Sequence, residues 1–276
     1  MPPTAPTETV MPQTLQLVFT LAMVIPTVLV TGYFIRYWRR TGDAIPVLCT
    51  VGGALTTLVE PIVDVLGLVW YPAPGQWVLL ESFGRSTPVL CLFGYIWFMG
   101  GMTAWTYIKL KQDASLRTML TWFAIFLAVN AVVEIPGVHT RVYWYYGTQP
   151  LKLFGWPLWW GFVNVGLCIV AAAVLVRLAP RLKGVLIAAV VFIVPIVDAG
   201  FNAGAGWPVY TALSSTSNVL IAQLAGLATC ALAVMIIWLA SLLPAPLVPV
   251  DRAEPALRAD RPDPAVERRV DRDPRT

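Results

Sequence analysis

Residues 213–243 read LSSTSNVLIAQLAGLATCALAVMIIWLASLL, 31 positions without a charged side chain. A helix rises 1.5 Å per residue and a bilayer's hydrocarbon core is about 30 Å thick, so about 20 apolar residues suffice to cross it. Six further apolar stretches of similar character fall at 14–37, 44–69, 86–108, 116–135, 157–178 and 184–203. The composition agrees: 58% of the 276 residues are hydrophobic and 12% charged, where an average soluble domain carries about a quarter charged residues. The mean hydropathy is +0.71. The expected fold is all-α, a polytopic bundle of seven transmembrane helices over residues 14–243, which makes the chain a multi-pass protein of the cell membrane with the bilayer as a partner.

The flanks read differently. Residues 1–13 are rich in Pro and Thr and lack Lys or Arg, so they offer no basic signal-peptide region, and the first apolar run is read as an uncleaved span. Residues 244–276 are dense in Pro, Arg and Asp and are expected to form a disordered cytoplasmic tail. That tail holds seven Arg and seven acids, which cancel, leaving the net charge of +4 mostly in short loops rather than in a nucleic-acid-binding face. Arg36, Arg39, Arg40, Lys109, Lys111, Arg117, Arg177, Arg181 and Lys183 follow the odd-numbered spans, while only Arg85, Arg141 and Lys152 occupy the alternate loops. By the positive-inside rule the N-terminus lies outside and the C-terminus in the cytoplasm.

With that orientation four acids fall toward the outer side: Glu60 and Asp64 in the second span, Glu134 at the end of the fourth and Asp198 in the sixth. A charge at the bilayer centre costs about 2.5–3.5 kcal/mol on insertion scales, so such residues face a bundle interior and mark function. Polar residues at the same depth, Asn164 and the group from Ser214 to Gln223, suggest one chamber opening outward. Glu60 and Asp64 stack at i,i+4 on one helix face. Pro61 interrupts the helix beside them. Structural alternatives are an ion pair of these acids with Arg85, and of Glu134 with Arg141.

Each even-numbered span ends in Val followed by an acid and then Gly and aromatic residues: VEPIVDVLGLVWYP at 59–72, VEIPGVHTRVYWYYG at 133–147 and VDAGFNAGAGWPVY at 197–210. The pattern is a faint internal repeat, or simply the aromatic belt of a membrane interface. The loop TRVYWYYGTQPLKLFGWPLWWGFVN (140–164) reads as an aromatic lid over the chamber, with Gly147 and Gly155 letting it fold back. The lone His139 excludes sites built on several His ligands. The last span has no Lys for a retinal Schiff base, and the four Cys show no metal-ligand spacing. Neither metal nor cofactor is expected.

The blocks Glu60-Pro61-x-x-Asp64-x-x-Gly67-x-x-Trp70-Tyr71-Pro72, Phe83-Gly84-Arg85, Tyr145-Tyr146-Gly147-x-Gln149-Pro150-Leu151 and Gly155-x-Pro157-x-Trp159-Trp160, followed by Asn164, resemble a signature of the spirocyclase AveC-like family of bacterial membrane proteins. They cover roughly residues 55–165. The resemblance implies spiroketal formation within a polyketide, in secondary metabolism, with dehydration as a second activity. That chemistry needs an acid for the carbonyl or hemiketal oxygen and a base for the attacking hydroxyl. The expected catalytic groups are Glu60 or Asp198 as acid and Asp64 as base or charge partner. Tyr146, Trp159, Trp160 and Asn164 would line the pocket of a lipophilic small-molecule substrate, with Glu134, His139, Arg85, Gln149, Asn202 and Asn218 as further contacts. His139 has a structural reading as well. The competing readings are a membrane terpene cyclase, a proton-coupled transporter or a lipophilic-ligand-binding protein.

Overall fold

The computed structural model describes residues 3–243. The tail expected at 244–276 lies outside the described residues. The chain is mostly helical, and among the described residues six helices are long and apolar enough to cross a membrane. They are α1 (Gln13–Thr41), the run Val89–Gln112, α6 (Leu116–His139), α7 (Leu158–Leu178), the run Gly184–Ser215 that ends in α8 (Val190–Ser215), and α9 (Val219–Leu242). The run Val89–Gln112 comprises α4 (Val89–Tyr95), a π-helical turn (Ile96–Gly101) and α5 (Met102–Gln112). A seventh hydrophobic stretch is broken into α2 (Ile45–Thr56) and α3 (Glu60–Gly67), which meet at 57°.

Pro61 explains that break. A proline ring collides with the carbonyl four residues earlier, here that of Thr57, which caps the end of α2. The chain tightens instead: Leu58 N donates to Leu55 O (3.0 Å), Val59 N to Thr56 O (2.9 Å) and Glu60 N to Thr57 O (3.3 Å). These i→i−3 bonds form a short 3₁₀ connection, after which α3 starts on a new axis with Glu60 at its first position.

Other prolines are absorbed. Glu134 was expected to close its helix at Pro136, yet α6 continues through Pro136 to His139. The sixth span was expected to stop near residue 203, yet α8 runs through Pro195 and Pro208 to Ser215, leaving a connection of only three residues before α9. Gly, Pro and Trp at 204–208 read as a loop in sequence, but Ala205, Gly206, Pro208, Val209 and Tyr210 are buried in the bundle. Tertiary packing overrides weak local propensity there.

The most buried helix is α7, with small residues at Gly161, Gly166 and Ala171–Ala173, and it packs against α5, α6, α8 and α9. The faces of α1, α6 and α9 are largely exposed and apolar, as lipid-facing helices are. Close backbone contact joins α2 to the π-helical turn. A Cβ on Gly53 would lie 2.4 Å from Tyr95 O, and one on Gly100 would lie 2.4 Å from Cys49 O.

Three short antiparallel pairs cover one end. β1 (Val69–Trp70) pairs with β4 (Trp144–Tyr145), β2 (Val78–Ser82) with β3 (Arg85–Pro88), and β5 (Lys152–Leu153) with β6 (Trp156–Pro157). The last two are hairpins tipped by Phe83-Gly84 and Phe154-Gly155. All four tip residues have positive φ, at 51°, 67°, 51° and 86°, which is the signature of type I′ turns. The N-terminal segment joins this cap through Met11 N, which donates to Pro74 O at 2.9 Å.

Candidate functional site

Below the cap lies a cavity of about 100 Å³, lined among others by Glu60, Tyr71, Cys91, Tyr95, Asn130, Glu134, Tyr143, Tyr145, Trp160 and Asn164. Two carboxylates face it, each gripped by two tyrosines. Glu60 accepts from Tyr71 Oη (3.1 Å) and from Tyr95 Oη. Its Oε1 also meets the Cys91 thiol at 3.8 Å. Glu134 accepts from Tyr143 Oη (2.9 Å) and Tyr145 Oη (2.8 Å) through one oxygen, and from Asn130 Nδ2 (3.4 Å) through the other.

Local structure explains how the grips arise. After each glutamate its helix ends and the chain turns into a two-residue strand, and the two strands pair antiparallel as Val69↔Tyr145 and Trp70↔Trp144. Pairing brings the tyrosines of both segments together, and the Tyr71 and Tyr143 rings lie 5.3 Å apart. Glu60 to Tyr71 and Glu134 to Tyr145 share a spacing of eleven residues. The first two copies of the faint repeat thus behave alike, whereas the third stays helical throughout. Burial pushes the phenols of Tyr71, Tyr143 and Tyr145 well above the usual tyrosine range, so their hydroxyls remain protonated donors.

Of the four acids expected to share one chamber, the cavity is lined by Glu60 and Glu134. Asp64 is fully buried and does not line the cavity, and neither of its oxygens has a hydrogen-bond partner. Thr87 Oγ1, Trp70 Nε1 and Arg85 Nε, on strands packed beside α3, are likewise unpartnered. Asp198 belongs to a separate cluster: Asn202 Nδ2 donates to its Oδ1 (3.2 Å), and Tyr210 Oη donates to Asn202 Oδ1 (2.6 Å).

The remaining sequence-predicted residues divide clearly. Trp160 and Asn164 line the cavity together with Glu60 and Glu134. Arg85 pairs with neither acid; its Nη2 donates to Tyr146 Oη (2.6 Å) and its guanidinium lies 5.2 Å over the Trp70 ring. Gln149 ties the cap down by donating to Gly67 O (2.7 Å) and accepting from Trp159 Nε1 (3.3 Å). Asn218 caps α9 by accepting from Leu220 N and Ile221 N. His139 is exposed, its Nδ1 3.2 Å from Ile135 O. Arg141 forms no ion pair with Glu134, and among the described residues the one salt bridge is Lys111–Asp43, at 2.8 Å.

Sequence reasoning did not assign a role to Tyr71, Tyr95, Tyr143, Cys91 or Asn130. The repeated Glu-to-Tyr spacing was the available signal for two of the grips, and Asn130 stands one helical turn before Glu134. The chain matches no protein-family model, no curated protein and no solved structure.

Proposed function

We propose that the chain crosses the membrane seven times, with the N-terminus outside, and catalyses a cofactor-independent acid–base cyclisation or dehydration of a lipophilic substrate at the cavity shared by Glu60 and Glu134. The observation that carries this reading is the pair of tyrosine-held carboxylates facing one volume. Counting α2 and α3 as one bent span supports seven, and the nine-to-three distribution of loop cations supports the orientation.

In the cyclisation one glutamic acid protonates a hemiketal hydroxyl while the other, as carboxylate, takes the proton of the attacking hydroxyl. A C–O bond forms, the protonated C–O bond breaks, and water leaves. The proton supplied by the first glutamic acid leaves in that water, the second glutamate holds the proton of the attacking hydroxyl, and its transfer back to the first restores the starting state. Dehydration uses the same pair, with the base taking a proton from carbon. The resemblance to AveC-like spirocyclases favours the spiroketal version of this chemistry and a polyketide-like substrate.

The test is metabolite profiling of the native host with the gene deleted and then restored. Deletion is expected to accumulate an uncyclised or hydrated precursor. Wild type and Asp198→Asn should restore the product, while Glu60→Gln and Glu134→Gln, present at normal levels in the membrane, should not. Product formation by either glutamine variant at the wild-type rate would remove the assignment.

A further inference from the structure

The cavity between the glutamates, of about 100 Å³, is smaller than the roughly 300–1,000 Å³ of ordinary small-molecule pockets. It admits the reacting end of a lipophilic molecule and little more, so the rest must lie elsewhere. A second hollow, of about 330 Å³, lies along the same helices. Its walls are Leu29, Val30 and Phe34 of α1 on one side and Phe126 and Val129 of α6 on the other, with Trp105 in its floor.

Both hollows lie between the same two helices, α1 and α6. α1 supplies Phe19 and Met23 to the first and Leu29 to Phe34 to the second; α6 supplies Asn130, Val133 and Glu134 to the first and Phe126 and Val129 to the second. Residues 126, 130 and 134 follow one another at i,i+4, so they form a single stripe about 12 Å long on α6. No extended packing joins α1 to α6, and α4, the π-helical turn and α5 floor the gap. Trp97 in the π-helical turn lines both hollows. π-turns recur at functional sites.

Polarity changes sharply along the fissure. The larger hollow is almost wholly apolar, and the smaller presents two carboxylates, four tyrosine hydroxyls and Asn130. Asn130 is 2% exposed and its Oδ1 has no hydrogen-bond partner, and neither has Trp97 Nε1. These two unused polar atoms stand at the junction, where a polar group entering from the apolar side would pass.

We propose that the fissure between α1 and α6 is one binding site for a linear, single-chain amphiphile that enters sideways from the lipid, its hydrocarbon tail lying in the apolar hollow and its oxygenated end reaching Glu60 and Glu134 past Trp97. The inference rests on the function proposed above and names its substrate class.

The probes are two dodecanols, one with a diazirine at the chain end and one with a diazirine beside the hydroxyl carbon, photolysed with the full chain in phosphatidylcholine vesicles. The chain-end probe is expected to label residues 29–34 and 126–129, and the hydroxyl-end probe residues 130–134. Excess unlabelled dodecanol should suppress both. Labelling of the lipid-facing Leu220, Leu224 and Leu227 of α9 should persist, as for bulk lipid. Val129→Trp fills the hollow from α6 and Val30→Trp fills it from α1; each should reduce fissure labelling about tenfold or more and leave α9 unchanged. If one variant does not fold, the other carries the test. Fissure labelling that unlabelled dodecanol does not suppress, or that both folded variants retain, overturns the proposal in favour of ordinary lipid contact. Suppressible labelling together with active Glu60→Gln and Glu134→Gln variants would sink the catalytic assignment alone.

Discussion

Gly53→Ala adds one methyl group at the place where α2 touches the π-helical turn. That methyl would lie 2.4 Å from Tyr95 O, 2.7 Å from Gly100 N and 2.9 Å from Gly100 Cα. All three are backbone atoms, so no side chain can rotate away and the two segments must separate by about an ångström to reach ordinary contact. Overpacking of this kind costs about 1–3 kcal/mol, and the better helix propensity of Ala returns about 1 kcal/mol. Backbone contacts this short place the cost at the upper end of that range, so the net expectation is a loss of about 2 kcal/mol, a fall in Tm of roughly 4–8 °C for a chain of this size. Because the displaced carbonyl belongs to Tyr95, the grip on Glu60 should loosen as well. Thermal unfolding in detergent, followed by tryptophan fluorescence, reads the shift. Gly200→Ala is the control: it lies in α8 with nothing within 4 Å of its added methyl, and it should be neutral or stabilising. A Gly53→Ala protein as stable as wild type would refute the close approach and with it the placement of Tyr95.

Tyr145→Phe removes a hydrogen bond of 2.8 Å to a partly buried carboxylate and should cost about 1.5 kcal/mol in the same assay; an unchanged melt would argue against the grip on Glu134. Asp113 accepts from Ser115 N, Ser115 Oγ and Thr118 Oγ1 at the start of α6, and these bonds hold its carboxyl below the usual range. Its folded value is thus lower than its unfolded one. The stability it adds is complete above the unfolded value of 3.8 and is lost as pH falls through the folded value. Asp113→Asn should accordingly flatten the acid limb of Tm against pH, and an unaltered limb would contradict these bonds. Phe83 and Phe154 hold φ near 51° at hairpin tips and are 68% and 69% exposed. Replacing Phe83 with Asn, which tolerates that conformation, should raise hairpin stability by about 0.5–1 kcal/mol, measured as slower amide exchange at residues 78–88.

Hydropathy alone made the helical bundle legible, because a lipid-facing helix must be apolar along its length. Bends and ends were less so. Pro61 broke its helix as expected, but Pro136, Pro195 and Pro208 did not break theirs, since neighbouring helices hold those segments in place. The acids were found by their cost in lipid, which marks Glu60 and Glu134 no more strongly than Asp64 and Asp198. What separates Glu60 and Glu134 is their tyrosine partners, which the pairing of two-residue strands too short to leave a periodic signal brings together. The tyrosine grips were half visible: the aromatic endings stood out, yet interfacial anchoring explains such residues equally well until the shared spacing from each glutamate is measured.

The central claim is that Glu60 and Glu134 act as one unit. It is tested most directly by turnover of the precursor that accumulates in the deletion host, supplied to purified wild type, Glu60→Gln, Glu134→Gln and the double variant. Partners in one proton-transfer step are non-additive, so the account predicts that each single variant loses nearly all activity and that the double variant is no slower than the worse single. Two partial losses that multiply in the double variant would contradict it.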